Sequence, residues 1–473
     1  MSTTRMASQR IASLLDDNSF VEIGAKVTAR ATDFNLNATD TPSDGVVTGY
    51  GVINDNLVYV YSQDASVLGG SIGEMHAKKI VNLYEMAIKM GAPVIGLIDS
   101  TGLRLEEATD ALNAFGEIYA AQSLASGVVP QITAVFGNCG GGLTLVPALS
   151  DFTFMEEKAK MFVNSPDAIE GNNCNKCDNS SAKFQSEEAG NVDMVADEAT
   201  IYASIRELVS MLPGNCESTA FADCEDDLNR AVDIAGCVGD TSIAISQIAD
   251  DGTFFETKAG FAPDMVTGLI KLNGDTVGVV ANRTEMFDAD GNSVAKFDCA
   301  LSAKGCEKAA DFVKFCDAFE IPVLTLTNVA GFKSCMCCEK RVAREGAAMA
   351  AAFANATVPK VNVVIGKAFG SAGVMMNSKA LGADMTFAWD SASIGMMEAK
   401  HAAQIICDGK SADEIDACAK EYAALQNNVE SAARRGYVDT VIAAVDTRKY
   451  VIGAFDMLYT KAVDTPAKKH SVR

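Results

Sequence analysis

Two glycine-rich turns are the residues of this chain best suited to chemistry. One reads Gly137-Asn138-Cys139-Gly140-Gly141-Gly142, the other Gly366-Lys367-Ala368-Phe369-Gly370-Ser371-Ala372-Gly373. Glycine lets backbone approach a ligand closely. A turn leading from a strand into a helix aims unpaired amide N–H groups outward, with the positive helix end behind them. Such a turn can hold an enolate or another oxyanion, and losing one donor of this kind typically costs about 2.7–4 kcal/mol of barrier. Either turn alone reads as close packing. Both stand in one register, because Gly141 and Gly370 are as far apart (370 − 141 = 229) as Pro93 and Pro322 (322 − 93 = 229). That shared register favours the chemical reading.

A second matched pair precedes the turns: Asp99-Ser100-Thr101-Gly102-Leu103-Arg104 and Asn328-Val329-Ala330-Gly331-Phe332-Lys333. Loops at the carboxyl ends of buried strands form the usual ligand crevice of α/β folds. Arg104 and Lys333 are the cations there, with phosphate or carboxylate as natural targets; the competing reading is solvated surface charge. The histidines are His76, His401 and His470, none in a matched loop. There is no Gly-x-Ser-x-Gly elbow, no Walker motif and no complete Rossmann fingerprint. A reaction must then draw its proton-transfer group from a cofactor or substrate, the protein supplying position and oxyanion stabilisation.

The elements that must position these turns are also doubled. Val46–Ile53 and 57–61 read as a strand pair around Asn54-Asp55-Asn56, and 265–272 with 277–280 as its counterpart around Asn273-Gly274-Asp275. Ile80, Leu83, Tyr84, Ala87 and Ile88 recur at helical spacing, as do Ala309, Phe312, Val313 and Cys316. Each helix ends ahead of a proline that opens an apolar run, 93–98 and 322–326. A second run follows at 132–136 and 361–365. β-Branched runs without alternation predict strands buried on both faces in a layered β-α-β arrangement. Two domains of the α/β class are expected, residues 1–235 and 236–473, with an irregular surface excursion over 165–195.

At 473 residues, with 48% hydrophobic and 21% charged residues, the composition is that of a globular protein. No apolar run reaches a membrane span and the first residues do not resemble a signal peptide, so a cytoplasmic location is expected. A net charge of −23 argues against nucleic-acid binding. Fourteen cysteines suit a reducing compartment. Two clusters, Cys174/Cys177 and Cys335/Cys337/Cys338, are candidate metal ligands; thiols in loops of a reduced protein are the favoured alternative.

The chain resembles the biotin-dependent acyl-CoA carboxyltransferases, the propionyl-CoA carboxylase β-subunit type with its transcarboxylase and decarboxylase relatives. The resemblance rests on Asp44-Gly45-Val46-Val47-Thr48-Gly49-Tyr50-Gly51, on 62–71, on 125–132 and on Pro147-Ala148-Leu149-Ser150-Asp151-Phe152. In the second half it rests on Phe254-Phe255-Glu256, 308–310, 316–319, 356–361 and Lys468-Lys469-His470. It implies two tandem crotonase-like β-β-α superhelical domains, the first serving acyl-CoA and the second biotin. Gly141 and Gly142 would hold the thioester enolate, and Ser371 and Ala372 the ureido oxygen of biotin. Gly331, Phe332, Phe369, Gly370 and Gly373 would line the biotin side, and Gly102, Arg104, Gly140 and Val374 the acyl-CoA side. The ureido nitrogen would take the α-proton, which accounts for the missing protein base.

The chain has no ATP-grasp-like segment and no Met-Lys biotinylation site, so biotin must arrive on a biotin carboxyl carrier protein. A biotin carboxylase subunit or membrane decarboxylase pump subunits are the further partners implied, with a homo-oligomer, dimer or trimer of dimers. Departures from the family pattern are Thr101 and Leu103, Ala330 before Gly331, and Ser371 in place of a glycine. The competing readings are a tandem crotonase-type hydratase or isomerase, for which Glu106, Glu107 and Glu117 are the available carboxylates, and a non-catalytic assembly subunit.

Overall fold

The computed structural model describes residues 6–31, 40–170, 172, 177–463 and 465–466. The chain divides into two compact units, Met1–Ala220 and Phe221–Arg473.

In the first unit, β1 (Val21–Ile23), β2 (Val46–Ile53) and β3 (Asn56–Gln63) pair antiparallel. Asn54 (φ 49°) and Asp55 (φ 66°) both take the left-handed conformation, which a tight hairpin needs to match strand twist. The sheet continues in parallel through β4 (Val94–Ser100), β5 (Gln131–Gly140), β6 (Phe152–Glu156) and β8 (Met194–Ala196), while β7 (Lys160–Phe162) also pairs with β5. Helices Glu74–Met90 and Ala108–Ala125 make the parallel crossovers on either side of β4. Val94, Ile98, Leu83, Tyr84 and Ala87 share one core, as strands and a helix of matching apolar faces require.

The second unit repeats this order: β9 (Phe254–Thr257), β10 (Met265–Leu272), β11 (Asp275–Asn282), β14 (Val323–Val329), β15 (Lys360–Phe369), β16 (Met385–Trp389) and β18 (Thr440–Ile442), with β17 (Ser393–Gly395) on β15. β14 and β15 begin 229 residues after β4 and β5 (323 − 94 = 229; 360 − 131 = 229). β10 begins only 219 after β2 (265 − 46 = 219), and the small added hairpin β12–β13 (Glu285–Phe287, Ser293–Lys296) falls between these two registers. Its core joins Leu324, Leu326, Val361 and Val363 to Ile245 and Ile248 of helix Thr241–Ile248.

Residues 221–235, expected with the first half, pack on the second unit. Phe221 bridges Asp275, Val232 N–H donates to Val445 O at 3.0 Å, and Val232 and Ile234 enter the second core. The 165–195 stretch is more than a surface excursion. Gln185 is buried and its Nε2 donates to Met161 O (3.0 Å) and Asn179 O (2.7 Å). Among the described residues no helix is long and apolar enough to cross a membrane.

Candidate active site

Both turns sit where the sequence places them, at the ends of buried parallel strands. β5 ends at Gly140 and passes through Gly141 (φ 65°) into a helical turn, Gly141–Thr144; β15 ends at Phe369 and passes through Gly370 (φ 61°) into helix Gly370–Met375. A side chain added at Gly141 would meet nothing within 4 Å, so the left-handed dihedral, not crowding, demands glycine there. In both turns the following residue, Gly142 or Ser371, is exposed, and the one after, Leu143 or Ala372, is buried. Neither Gly142 nor Ser371 has a positive φ, so a serine is accommodated where relatives often carry glycine.

What aims the turns is a pair of side chains at the ends of β4 and β14. A Cβ on Gly137 would lie 2.0 Å from Asp99 Oδ1, and one on Gly366 would lie 2.5 Å from Asn328 Oδ1. These polar groups therefore lie flat against the glycines of the next strand. The ladder slips at the same place in both units, between Ile98 and Ser100 and between Thr327 and Val329. The backbone N–H of Asp99 donates to Gln63 Oε1 (3.3 Å), that of Asn328 to Asn282 Oδ1 (2.8 Å), and that of Lys367 to Asn328 Oδ1 (3.0 Å). Thr144 Oγ1 fastens the first turn by donating to Phe162 O at 2.7 Å.

The preceding loops are anchored by equivalent bonds. Ile72 N–H donates to Gly102 O (2.8 Å) and Arg104 N–H to Ile72 O (3.0 Å); Leu301 N–H donates to Gly331 O and Lys333 N–H to Leu301 O, each at 2.9 Å. Gly102 (φ 98°) is drawn against the end of β5, where its missing Cβ would lie 3.4 Å from Gly140 O. The structure thus brings Gly102, Gly140, Gly141 and Gly142 together in the first unit.

Arg104 is corrected from ligand cation to structural ion. Its guanidinium is buried, donating from Nη1 to Asp44 Oδ1 (2.7 Å) and Glu107 Oε1 (2.8 Å) and from Nη2 to Ser71 O (2.7 Å). Burial raises the Asp44 carboxyl above its ordinary range, and the attraction of Arg104 opposes that shift. The network consumes Glu107, leaving exposed Glu106 and Glu117 as the remaining carboxylates of the hydratase reading. His76 is a spectator in the same cluster: burial pushes its pKa down to about 3, and Nδ1 lies 2.9 Å from Asp44 O. His470, with Lys468 and Lys469, lies outside the described residues.

On the second unit, Phe369 and Gly373 act through packing. The Phe369 ring is buried, and a Cβ at Gly373 would lie 2.7 Å from the Ala368 carbonyl carbon. Phe332 is 40% exposed, Gly331 and Lys333 are half-buried, and Val374 is exposed. Beside the turn lies a cavity of about 470 Å³ whose lining includes Gly370, Gly373, Val374, Met396, Tyr422 and Tyr437. The last three were missed in the sequence, because Met396 follows β17, Tyr422 ends helix Ala412–Tyr422 and Tyr437 follows helix Val429–Arg434, and no sequence motif repeats there in register with the first half. Also missed were the buried Lys79 and the anchoring role of Lys308, which entered the sequence reading only as part of a family motif. Lys79 Nζ donates to Ser43 O (3.0 Å) and Val46 O, and Lys308 Nζ to Lys258 O (2.8 Å) and Phe261 O (3.0 Å). Their shared offset (308 − 79 = 229) was the available signal.

The described cysteines are all free thiols. Cys177 is exposed, Cys174 lies outside the described residues, and the Sγ atoms of Cys335, Cys337 and Cys338 lie within 4.8 Å of one another.

A carboxyl transferase domain model matches residues 3–473. The chain belongs to the carboxyl transferase family. It is 39% identical to methylmalonyl-CoA decarboxylase subunit alpha of Propionigenium modestum, over 98% of this chain and 92% of that protein. It is 40% identical to propionyl-CoA carboxylase beta chain of Roseobacter denitrificans, with the same coverage. The crystal structure of transcarboxylase 12S, a hexamer with hydrolysed methylmalonyl-coenzyme A bound, superposes with a TM-score of 0.91 at 37% identity, covering 98% of this chain and 92% of that one. The two repeated units are therefore crotonase-like, and the chain is an enzyme of carboxyl transfer.

Proposed function

We propose that this carboxyltransferase moves a carboxyl group between carrier-borne biotin and a short acyl-CoA of the propionyl/methylmalonyl or acetyl/malonyl type. The observation that carries the reading is the doubled turn. Each buried strand is followed by a left-handed glycine, Gly141 or Gly370, after which the next residue is exposed at the start of a helical turn. Two anion-stabilising turns suit a reaction in which two partners develop negative oxygen. The assignment of Gly141 and Gly142 to the thioester enolate and of Ser371 and Ala372 to the ureido oxygen follows the family pattern. Gly102 and Gly140 support the first turn.

The cavity beside Gly370 and Gly373 suits biotin, since its lining combines the start of the turn with Met396 and two tyrosines; it also takes in Val374, expected on the acyl-CoA side. Bound biotin supplies the ureido nitrogen that carries the carboxyl group and exchanges the α-proton. The protein's own part is to orient both partners and to oppose developing negative charge with backbone N–H groups, against a chain of net charge −23. A carrier protein, and assembly as a homo-oligomer that completes the site across subunits, belong to the same proposal. The relative whose structure is so similar is itself a hexamer.

The test is an acyl-CoA panel assayed with a biotinylated carrier or free biotin. Biotin-dependent carboxyl transfer to or from propionyl-, methylmalonyl-, acetyl- or malonyl-CoA is expected. No such transfer with any short acyl-CoA would overturn the reading, and undiminished activity in isolated monomers would overturn the shared site.

A further inference from the structure

The loop after β4 and the loop after β14 are anchored by the same backbone bonds but clamped by different chemistry. In the first unit the clamp is the buried set Arg104, Asp44 and Glu107. Applying the repeat's two offsets, 229 for Arg104 and Glu107 and 219 for Asp44, the second unit has Lys333, Met336 and Pro263 instead. A methionine and a proline cannot reproduce that ion network. In its place the second loop carries three thiols. Cys335 is half-buried, Cys337 exposed and Cys338 buried, with all three Sγ atoms within 4.8 Å and Cys335 Sγ 3.0 Å from Cys337 Sγ. Cys335 also caps the short helix Met336–Glu339, accepting from Cys338 N–H at 3.4 Å, so its sulfur faces a helix start.

We propose that Cys335, Cys337 and Cys338 bind one thiophilic d¹⁰ cation, Zn²⁺, which clamps the loop that follows β14. Zinc–thiolate bonds of about 2.3 Å place tetrahedral sulfurs about 3.8 Å apart. Cys335 and Cys337 Sγ, 3.0 Å apart, are closer than that value, and all three sulfurs lie within 4.8 Å of one another, so the approach to that spacing is short. The exposure of Cys337 leaves a fourth position for water. Binding converts thiols to thiolates and releases their protons to solvent. The trypsin sites Lys333, Lys340 and Arg341 flank the cluster and report on the loop directly.

The experiment uses the full chain, reduced, stripped of metal and reloaded with Zn²⁺, followed by metal analysis after desalting. Co²⁺ replacement is read by its thiolate charge-transfer absorption. One metal per chain is expected, with affinity lowered about 100-fold or more in Cys335→Ser and Cys337→Ser, since even an outer-shell loss costs about 10–100-fold. Metal should also slow tryptic cleavage after Lys333 and Lys340. Cys337 is exposed, so its serine variant folds unless the site itself is needed, and thermal unfolding of the metal-free forms checks this. No metal retained by the reduced chain, full retention in both variants, or loss only in Cys177→Ser would each overturn the proposal. So would a mass two hydrogens lighter in the tryptic peptide 334–340 of the chain as purified, before reduction, marking a disulfide within the cluster instead.

Discussion

Replacing Gly142 with proline removes one backbone N–H at the exposed position of the first turn, and the structure supplies the control. Gly142 has no positive φ, so its dihedrals do not exclude proline, which is tolerated at the first turn of a helix. A Cβ there would lie 2.9 Å from the hydroxyl of Tyr119, which itself donates to Gly142 O at 2.6 Å. Proline and alanine both add that Cβ, and both must displace the tyrosine hydroxyl. Only proline deletes the N–H. Proline also places its ring where that N–H points and restricts Gly141, so the difference between Gly142→Pro and Gly142→Ala sets an upper bound on the donor's contribution. At about 2.7–4 kcal/mol for one oxyanion donor, kcat should be about 10²–10³-fold lower in the proline variant than in the alanine variant. The KM for acyl-CoA should stay nearly unchanged, because the donor acts on charge that develops in the transition state. The assay is steady-state decarboxylation of malonyl- or methylmalonyl-CoA with biotin, alongside CoA binding and thermal unfolding to establish the fold. Equal turnover in the two variants would refute Gly142 as a donor.

Ser371→Gly should keep activity within about twofold, since position 371 needs no left-handed dihedral, whereas Gly370→Ala should cost about 1–2 kcal/mol of stability at φ 61°, measured by urea unfolding. Arg104→Met strands the buried Asp44 and Glu107 and should destabilise the first unit by about 3–5 kcal/mol, part of it recovered by Asp44→Asn in the same chain; unchanged unfolding would contradict the network. Burial lowers the native pKa of Lys308 from 10.5 to about 7, so between those values the unfolded chain binds more protons. Stability should then rise with pH from about 7 toward 10.5, and Lys308→Met should flatten that slope in urea titrations at several pH values.

The legible part of the fold was whatever repeats in register. Pro93 and Pro322, the runs that became β4, β5, β14 and β15, and the glycines at 141 and 370 announced two α/β units and the place of their turns. The reason is local: a buried parallel strand must be apolar on both faces, and a left-handed turn selects glycine. The carboxyltransferase family was legible through motifs carried along most of the chain, and the domain match agrees.

What the sequence alone did not decide was which polar residue faces a ligand and which faces the core. Arg104 and Lys333 occupy matched positions beside matched glycines, yet the first is sealed among Asp44, Glu107 and Ser71 and the second remains half-buried at the surface. Asp99 lies across a glycine because Gly137 leaves it room, a contact between adjacent strands 38 residues apart in sequence (137 − 99 = 38). Tyr422 and Tyr437 reach the cavity beside Gly370 from a segment whose register with the first half no sequence motif marks. Backbone conformation follows from nearby residues, so the doubled turns could be read directly. Partner choice for a charge is set by desolvation and by groups far away in sequence, and only the assembled tertiary structure brings those together.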